Sequence, residues 1–292
     1  LTAANDARLS YAVGRLARQL AEYPRAETWF RRAILLGRQS GDWESYSMAF
    51  MGLGNLYLQR GSLPSAQKAH LRAYRAARRK GLRNAQGLAL HELFVIAAQR
   101  NQVKEAEELA GAAVKAYGSK HPKLPSLASD VSVFWISQGF FAPALTVLEA
   151  LLPHFHQPVE QAAVFANIAG ATAGLHESER FDSAWQRGWE LVTRTAVMEK
   201  TASVYLGLAQ SAAAGEDWER TLMAAERAVE VATERQEAEI KMSAEALLEA
   251  AHERKLEKVQ DEQVTTEPWL VDHADALAVN VAKSLNAGLA AR

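Results

Sequence analysis

Apolar and polar residues alternate along the chain in blocks that predict pairs of helices joined by short polar turns. Residues 54–61 are typical of a helix that ends at glycine, and Pro64 opens the next apolar block. Residues 215–220 repeat this arrangement. A pair of helices leaves one apolar face bare, and the next pair covers that face when it stacks on the first. The pattern therefore predicts an array of helical hairpins.

A small residue recurs near the start of each predicted second helix, at intervals of 37 to 40 residues. Two helices cross closely only where side chains are small, and a bulky residue one turn away fills the space beside the crossing. We therefore expect six hairpins between residues 6 and 235. The recurring small residues are Ala26, Ala66, Ala106, Ala144, Ala184 and Thr221.

Residues at fixed distances from these positions show a family resemblance. The second repeat has Phe50, Leu53, Gly54, Tyr57, Ala66 and Ala73, with His70 in an aromatic place, and the first has Val13, Gly14, Ala26, Phe30 and Ala33. The other four repeats keep mainly the small positions. This pattern resembles the tetratricopeptide repeat family, in a longer version similar to that of bacterial peptide-sensing regulators.

The resemblance implies a fold and a function. The fold is an all-α, right-handed α-solenoid of about six hairpins with a C-terminal pair of capping helices. The function is a non-enzymatic protein- or peptide-binding scaffold, for example the sensor part of a larger bacterial regulator. At position 70 we expect a packed, hydrogen-bonded imidazole.

Prolines divide the chain. Residues 118–125 and 153–158 each hold two prolines, which disfavour helix and predict loops. We expect a basic half of three hairpins at 1–123, an acidic half of three hairpins at 124–235 and a C-terminal part at 236–292.

The C-terminal part is predicted to contain two helices. Residues 237–254 form one, with Ile240, Leu247 and Leu248 on its apolar side. Residues 267–290 form the other, with Thr266 as its cap before Pro268. This last helix either caps the last hairpin or docks on a second copy. Its predicted apolar side is Trp269, Leu270, Leu277, Val281 and Leu285.

Charge is divided unequally although the net charge is only −1. Residues 1–123 carry 20 Lys and Arg against 9 Asp and Glu, whereas residues 124–292 carry 13 against 25. Such asymmetry concerns partners and association, not fold. One interpretation is a partner with an acidic or carboxylate feature. The other is a homo-oligomer in which the opposite-charge halves of two copies meet head to tail.

The chain lacks the residues and motifs that several kinds of catalytic and metal-binding sites require. The chain has no cysteine, no phosphate-binding glycine loop and no HExxH or GxSxG motif, so we expect no enzymatic activity, cofactor or metal. No apolar run reaches the ~20 residues that span a bilayer, and residues 1–8 lack a signal-peptide pattern. We predict a cytoplasmic protein. The chain begins at Leu1 without methionine, which is consistent with a fragment or a processed product.

The resemblance also implies a peptide-binding groove on the concave wall, which the first helices build. Arginine offers a fork for carboxylates, methionine an adaptable apolar floor, and asparagine a clamp for a peptide backbone. The clamp of chaperone-binding members needs a lysine where Met51 stands, so that function is not expected. The candidate peptide-binding residues are Arg8, Tyr11, Arg15, Met48, Met51, Asn55 and His91.

A basic patch lies on the second helix of the second repeat and the turn after it. It could meet nucleic-acid phosphates, the acidic stretch 226–239 of another copy, or only solvent. Tyr74 is the single aromatic residue among these arginines in the sequence, and this lack of interleaved aromatic residues argues against nucleic acid. The patch residues are Arg72, Arg75, Arg79 and Arg83.

Overall fold

A computed structural model describes residues 3–253 and 268–290, and helices are the only regular elements within these ranges. The first six α-helices are α1 (Ala7–Gln19), α2 (Tyr23–Ser40), α3 (Trp43–Gln59), α4 (Leu63–Arg79), α5 (Arg83–Gln99) and α6 (Val103–Tyr117). The others are α7 (Leu124–Ser137), α8 (Phe141–Leu151), α9 (Pro158–Gly174), α10 (Ser178–Thr193), α11 (Thr201–Ala214), α12 (Trp218–Glu234), α13 (Ala238–Glu253) and α14 (Pro268–Ala290). Single 3₁₀ turns lie at Ala3–Asn5 and Leu152–His154.

These helices form two compact units. Unit 1 (Leu1–His121) holds the hairpins α1–α2, α3–α4 and α5–α6. Unit 2 (Pro122–Arg292) holds α7–α8, α9–α10 and α11–α12, followed by α13 and α14. In every hairpin the two helices pack on each other, and within each unit successive hairpins stack. The six hairpins and the all-α repeat architecture predicted from the sequence are confirmed.

The small residues mark the close crossings, as expected. All six residues of the series from Ala26 to Thr221 are buried. A Cβ atom added to Gly14 would lie 2.7 Å from the ring of Phe30, and one added to Gly54 would overlap the ring of His70. Each glycine therefore makes room for the large side chain on the partner helix of its hairpin.

His70 is packed as predicted, but the expected hydrogen bond is wrong. The side chain is 0% exposed, and neither ring nitrogen has a hydrogen-bond partner among the described residues. Burial lowers the pKa of His70 to about 4, because the charged imidazolium would lose its hydration. The site opposite Gly54 therefore holds a neutral imidazole as a space-filling ring.

The predicted helix at 237–254 is confirmed, and α13 packs on α12 and α11. Its burial differs from the prediction, because Ala244 and Ala251 are buried whereas Ile240, Leu247 and Leu248 are only half-buried. The helix therefore adds to the end of the array through small side chains.

Helix α14 buries Leu270, Leu277, Val281 and Leu285 as predicted, but Trp269 is 39% exposed. It packs against α8, and to a lesser extent α7, so its main partner is the first hairpin of unit 2 and not the last. Helix α8 is apolar around most of its circumference and needs a second cover. The predicted cap at Thr266 and the polar stretch 255–267 lie outside the described residues.

Candidate functional site

The candidate peptide-binding residues on α1 reach the surface of unit 1. Arg8 and Arg15 are exposed, and Tyr11 is half-buried with its ring centroid 6.1 Å from that of Phe30. The two guanidinium groups are two turns apart on one helix, a spacing that follows from their separation of seven residues. They form a basic strip on the first-helix face of unit 1.

The candidates on α3 and α5 are less accessible. Met51 is 6% exposed and belongs to the core of unit 1, so the prediction that it forms part of a groove floor is wrong. Its side chain is covered because α3 lies between neighbouring helices on both sides. Met48 is half-buried, as is His91, whose Nδ1 lies 3.3 Å from the hydroxyl of Tyr117.

Asn55 is also half-buried on α3. Its carboxamide oxygen is buried and has no hydrogen-bond partner among the described residues. The acceptor half of the predicted backbone clamp therefore points away from solvent.

Unit 2 has an open apolar trough of about 410 Å³ across its first helices α7, α9 and α11. Val133 is 48% exposed at its edge, and Ile136 and Phe141 are half-buried. We call this surface the apolar trough. Its lining residues are Val133, Ile136, Ser137, Phe141, Ala166, Asn167, Gly170, Gly174, Gly207, Gln210, Ser211 and Ala214.

Two carboxamide side chains, of Asn167 and Gln210, stand in the apolar trough. Neither makes a side-chain hydrogen bond among the described residues. Neither residue was among the candidates predicted from the sequence. Gln210 stands 11 residues before Thr221, the same offset as Asn55 before Ala66, so the repeat register contained the signal. Asn167 lies outside that register, and only the structure places it in the trough.

A second concavity, of about 630 Å³, lies in unit 1 between α2 and α4, with α3 as its floor. We call it the basic groove. Three residues of the predicted basic patch line it, whereas Arg83 begins α5 and does not. Its lining residues are Arg31, Ile34, Leu35, Arg38, Trp43, Tyr46, Phe50, Arg72, Arg75, Ala76, Arg79 and Lys80.

The floor of the basic groove is aromatic. The side chain of Asp42 accepts a hydrogen bond of 3.0 Å from the backbone nitrogen of Ser45 and so fixes the start of α3. Trp43, Tyr46 and Phe50 then follow at intervals of three and four residues, which places them on one helix face. Their ring centroids are 5.4 and 5.0 Å apart in edge-to-face contacts. The fold therefore brings aromatic residues of α3 next to the basic patch, which the sequence around the patch did not indicate.

Cations cover this floor. The Nζ of Lys80 lies 4.4 Å from the ring centroid of Trp43, and the guanidinium of Arg72 lies 5.7 Å from that of Phe50. Such contacts are attractive because the ring face is negative. Lys80 and Arg72 thus lie between the aromatic floor and solvent.

Only one cation of the basic groove has a carboxylate partner among the described residues. Arg31 bonds Glu27 at 2.8 Å, and this hydrogen bond lowers the pKa of the Glu27 carboxyl. The unpaired cations are Arg38, Arg72, Arg75, Arg79 and Lys80.

The basic groove continues along α4. An adjoining cavity of about 490 Å³ shares Arg31, Ile34, Phe50 and Arg72 with it and extends to Tyr57, Ser65 and Lys68. From Ser65 to Arg79 the helix rises by about 21 Å, which is long enough to line a short peptide.

Metal sites and membrane-spanning helices are two further possibilities for the described residues. They contain no group of three or more His, Asp or Glu side chains that could hold a metal ion. Among them there is also no helix with the length and apolar character needed to cross a membrane.

The comparison with known proteins concerns the fold. No family model and no curated protein matches the chain. The crystal structure of BtubC (BKLC) from P. vanneervenii is similar with a TM-score of 0.59 and 16% identity, over 65% of this chain and 85% of that one. The crystal structure of the APC/C hetero-tetramer Cut9-Hcn1 is similar with a TM-score of 0.59 and 17% identity, over 85% of this chain and 43% of that one. Together with the six hairpins and their small-residue crossings, these likenesses confirm the all-α helical repeat fold that the sequence predicts.

Proposed function

We propose that this chain is a non-enzymatic scaffold that binds a protein or peptide segment on its first-helix face. The observation that carries the proposal is the apolar trough of unit 2, where two unpaired carboxamides stand beside the exposed Val133 and the half-buried Ile136. Sites for organic ligands and peptides commonly combine an apolar lining with a few polar groups that fix orientation.

The apolar trough offers a peptide two kinds of contact. Val133 and Ile136 can pack against an apolar side chain of the ligand, which buries surface that is otherwise in water. Asn167 and Gln210 each carry a donor and an acceptor, so they can pair with the N–H and C=O of an extended backbone. A peptide that buried its backbone there without such partners would lose free energy.

Two glycines keep the apolar trough open, because they carry no side chain. A Cβ atom on Gly170 would find its nearest neighbours at 3.8 and 3.9 Å, in Ile136 and Ser211. A Cβ atom on Gly207 would meet Ala166 at 3.5 Å. These are ordinary contact distances, so the glycines leave free space for a ligand and are not required for helix packing.

We propose that the first helices of unit 1 also contact a bound segment. Arg8 and Arg15 are proposed to bind a carboxylate of a partner, beside Tyr11. Met48 and His91 are proposed as further contacts on this face. The role of sensor in a larger bacterial regulator and a cytoplasmic location stay predictions from the sequence.

The test starts with peptides selected from a random display library against the full chain. Their affinities are then measured by titration calorimetry with the wild type, with Gly170→Leu and with Gln186→Leu. Leucine at 170 fills the apolar trough, whereas Gln186 is exposed on the second helix α10. We expect Gly170→Leu to weaken trough-binding peptides about tenfold or more, and Gln186→Leu to leave them unchanged. Selected peptides that bind both variants as tightly as the wild type would contradict the proposal.

Head-to-tail assembly is a second candidate function. It is favoured by exposed carboxylates on α12 and α13, among them Glu226, Glu230 and Glu239, together with the unpaired cations of unit 1. Light scattering after size exclusion tests it at ~50 mM and ~500 mM salt, because high salt screens such contacts. A mass that falls to 32.0 kDa at the higher salt supports assembly, and a mass of 32.0 kDa at both rejects it.

A further inference from the structure

We propose that the basic groove of unit 1 is a second binding site, separate from the apolar trough, for an acidic peptide segment that carries an apolar side chain. Three features carry the proposal. They are the unpaired cations on both walls, the apolar surface between them, and the way in which the aromatic rings are covered.

The cations of the two walls face one space. Arg72, Arg75 and Arg79 recur at helical spacing along α4, and Arg38 stands on the opposite wall in α2. Like charges repel each other across such a groove, and none of these four arginines forms an ion pair with a described carboxylate. Guanidinium groups bind carboxylates through two parallel hydrogen bonds, which makes a run of carboxylates a fitting counterpart.

The surface between the walls is apolar. Leu35 is 52% exposed, and Ile34 and Tyr46 are half-buried beside it. A purely electrostatic site for small anions needs no such strip. An apolar side chain placed among the acidic residues of a ligand would cover Leu35 and gain the free energy of removing it from water.

The covering of the rings favours a peptide over a nucleic acid. Proteins bind single-stranded nucleic acids by stacking bases on free aromatic faces. Here Lys80 covers Trp43, Arg72 covers Phe50, and the rings contact each other edge to face. A base would have to displace these cations, whereas carboxylates can bind them where they stand.

The groove is also bordered by a negative charge. Glu27 bonds Arg31 and lies 3.5 Å from Arg60, so a carboxylate stands where the groove continues towards Tyr57. A long phosphate backbone that followed α4 would approach this carboxylate. A short acidic peptide in the part lined by Arg75 and Arg79 would not.

The experiment uses the full chain and a fluorescein-labelled peptide of about 12 residues, with Glu and Asp on both sides of a central Leu-Phe pair. One matched peptide has Gln and Asn in place of the acids, a second has Ser in place of Leu-Phe, and an oligouridylate of similar length is the nucleic-acid probe. Fluorescence anisotropy at ~50 mM salt measures binding. We expect the acidic peptide to bind about tenfold or more tightly than each of the other three probes.

Paired substitutions locate the site. Arg75→Gln with Arg79→Gln removes two cations from the groove, and Arg78→Gln with Arg83→Gln removes two cations outside it. We expect the first pair to weaken the acidic peptide about tenfold and the second pair less than about threefold. Both pairs lie at exposed positions, so both variants should fold, which circular dichroism checks.

Several outcomes would overturn the inference. They are no binding of the acidic peptide at ~100 μM, equal losses in both double variants, and an oligouridylate that binds more tightly than the peptide. A wild-type mass above 32.0 kDa at low salt that only the Arg75/Arg79 variant loses would assign the groove to a second copy instead. The variant Gly170→Leu should bind the acidic peptide normally, which separates this site from the apolar trough.

Discussion

The two units share a repeat register but present different surfaces. In unit 1 the basic groove lies between the second helices α2 and α4 and is cationic over an aromatic floor. In unit 2 the described concavity crosses the first helices α7, α9 and α11 and is apolar with two carboxamides. Small residues at the crossings let the two helices of each hairpin pack closely in both units, and these positions are buried. The concavities of the two units therefore differ through the residues that lie between these buried positions.

The units also differ in the side chains that lie beside the close helix crossings of their hairpins. Position 70 in unit 1 is a buried histidine, and the equivalent positions of unit 2 are Leu148, Gly188 and Ala225. Only unit 1 thus has an ionisable group at this point of the repeat. This contrast should be visible as a difference in acid stability.

The largest expected effect is a loss of stability of unit 1 in acid. The folded-state pKa of His70 is about 4, below its ordinary value of 6.5, so the unfolded state binds the proton first. The stability associated with the neutral ring is therefore present above pH 6.5 and is lost as the pH falls towards 4, by up to ~3 kcal/mol. Hydrogen exchange followed by mass spectrometry, corrected for intrinsic rates, should show protection falling in α3 and α4 more than in α9 and α10.

The variant His70→Leu controls for other titrating groups. It removes the buried imidazole, so the difference in acid response between the two units should become smaller. An unchanged difference would mean that other groups in unit 1 cause the acid sensitivity.

The next effect in size concerns the close crossing in unit 1. Gly54→Ala should destabilise the chain by ~1–3 kcal/mol, because its Cβ atom would overlap the ring of His70 and force both helices apart. Urea unfolding followed by circular dichroism measures the change. Adding His70→Ala to Gly54→Ala should recover part of the loss, and a double variant that is less stable than the sum of the single ones would argue against the overlap.

The same substitution in unit 2 should have the opposite sign. Gly170→Ala places a Cβ atom in the open trough at normal contact distances, and alanine is favoured over glycine inside a helix. We expect a gain of ~0.5–1 kcal/mol in the free energy of unfolding. The urea midpoint should rise, and a fall would show that the trough is more tightly packed than its geometry indicates.

The smallest expected effect concerns the aromatic floor of unit 1. Lys80→Gln removes the ammonium group above Trp43 and should cost ~0.5 kcal/mol, the size of an exposed cation–π contact. The change in tryptophan fluorescence and a small fall in Tm would report it. Lys68→Gln is a matched control on the same helix, and an equal fall in both variants would attribute the effect to net charge.

The sequence predicted the architecture well because close helix crossings require small residues, and these recur at regular intervals along the chain. Ala26, Ala66 and Gly54 could be recognised as small residues at regular intervals, and each proved to be buried. It predicted less well which side chains line the concavities. Met51 was placed on the surface by its register and lies in the core, and Gln210 was overlooked although it shares the register of Asn55.

The sequence by itself determined the helical class, the six hairpins and their register, because the interaction that fixes them acts between the two neighbouring helices of each hairpin. The tertiary structure decided which side chains share a groove. Trp43 on α3 comes to lie under Lys80, which directly follows α4 and is 37 positions later in the chain, and α14 covers α8 after a much longer separation. Such contacts depend on how whole helices stack, and a periodic pattern records a helix's own face but not the identity of its distant neighbours.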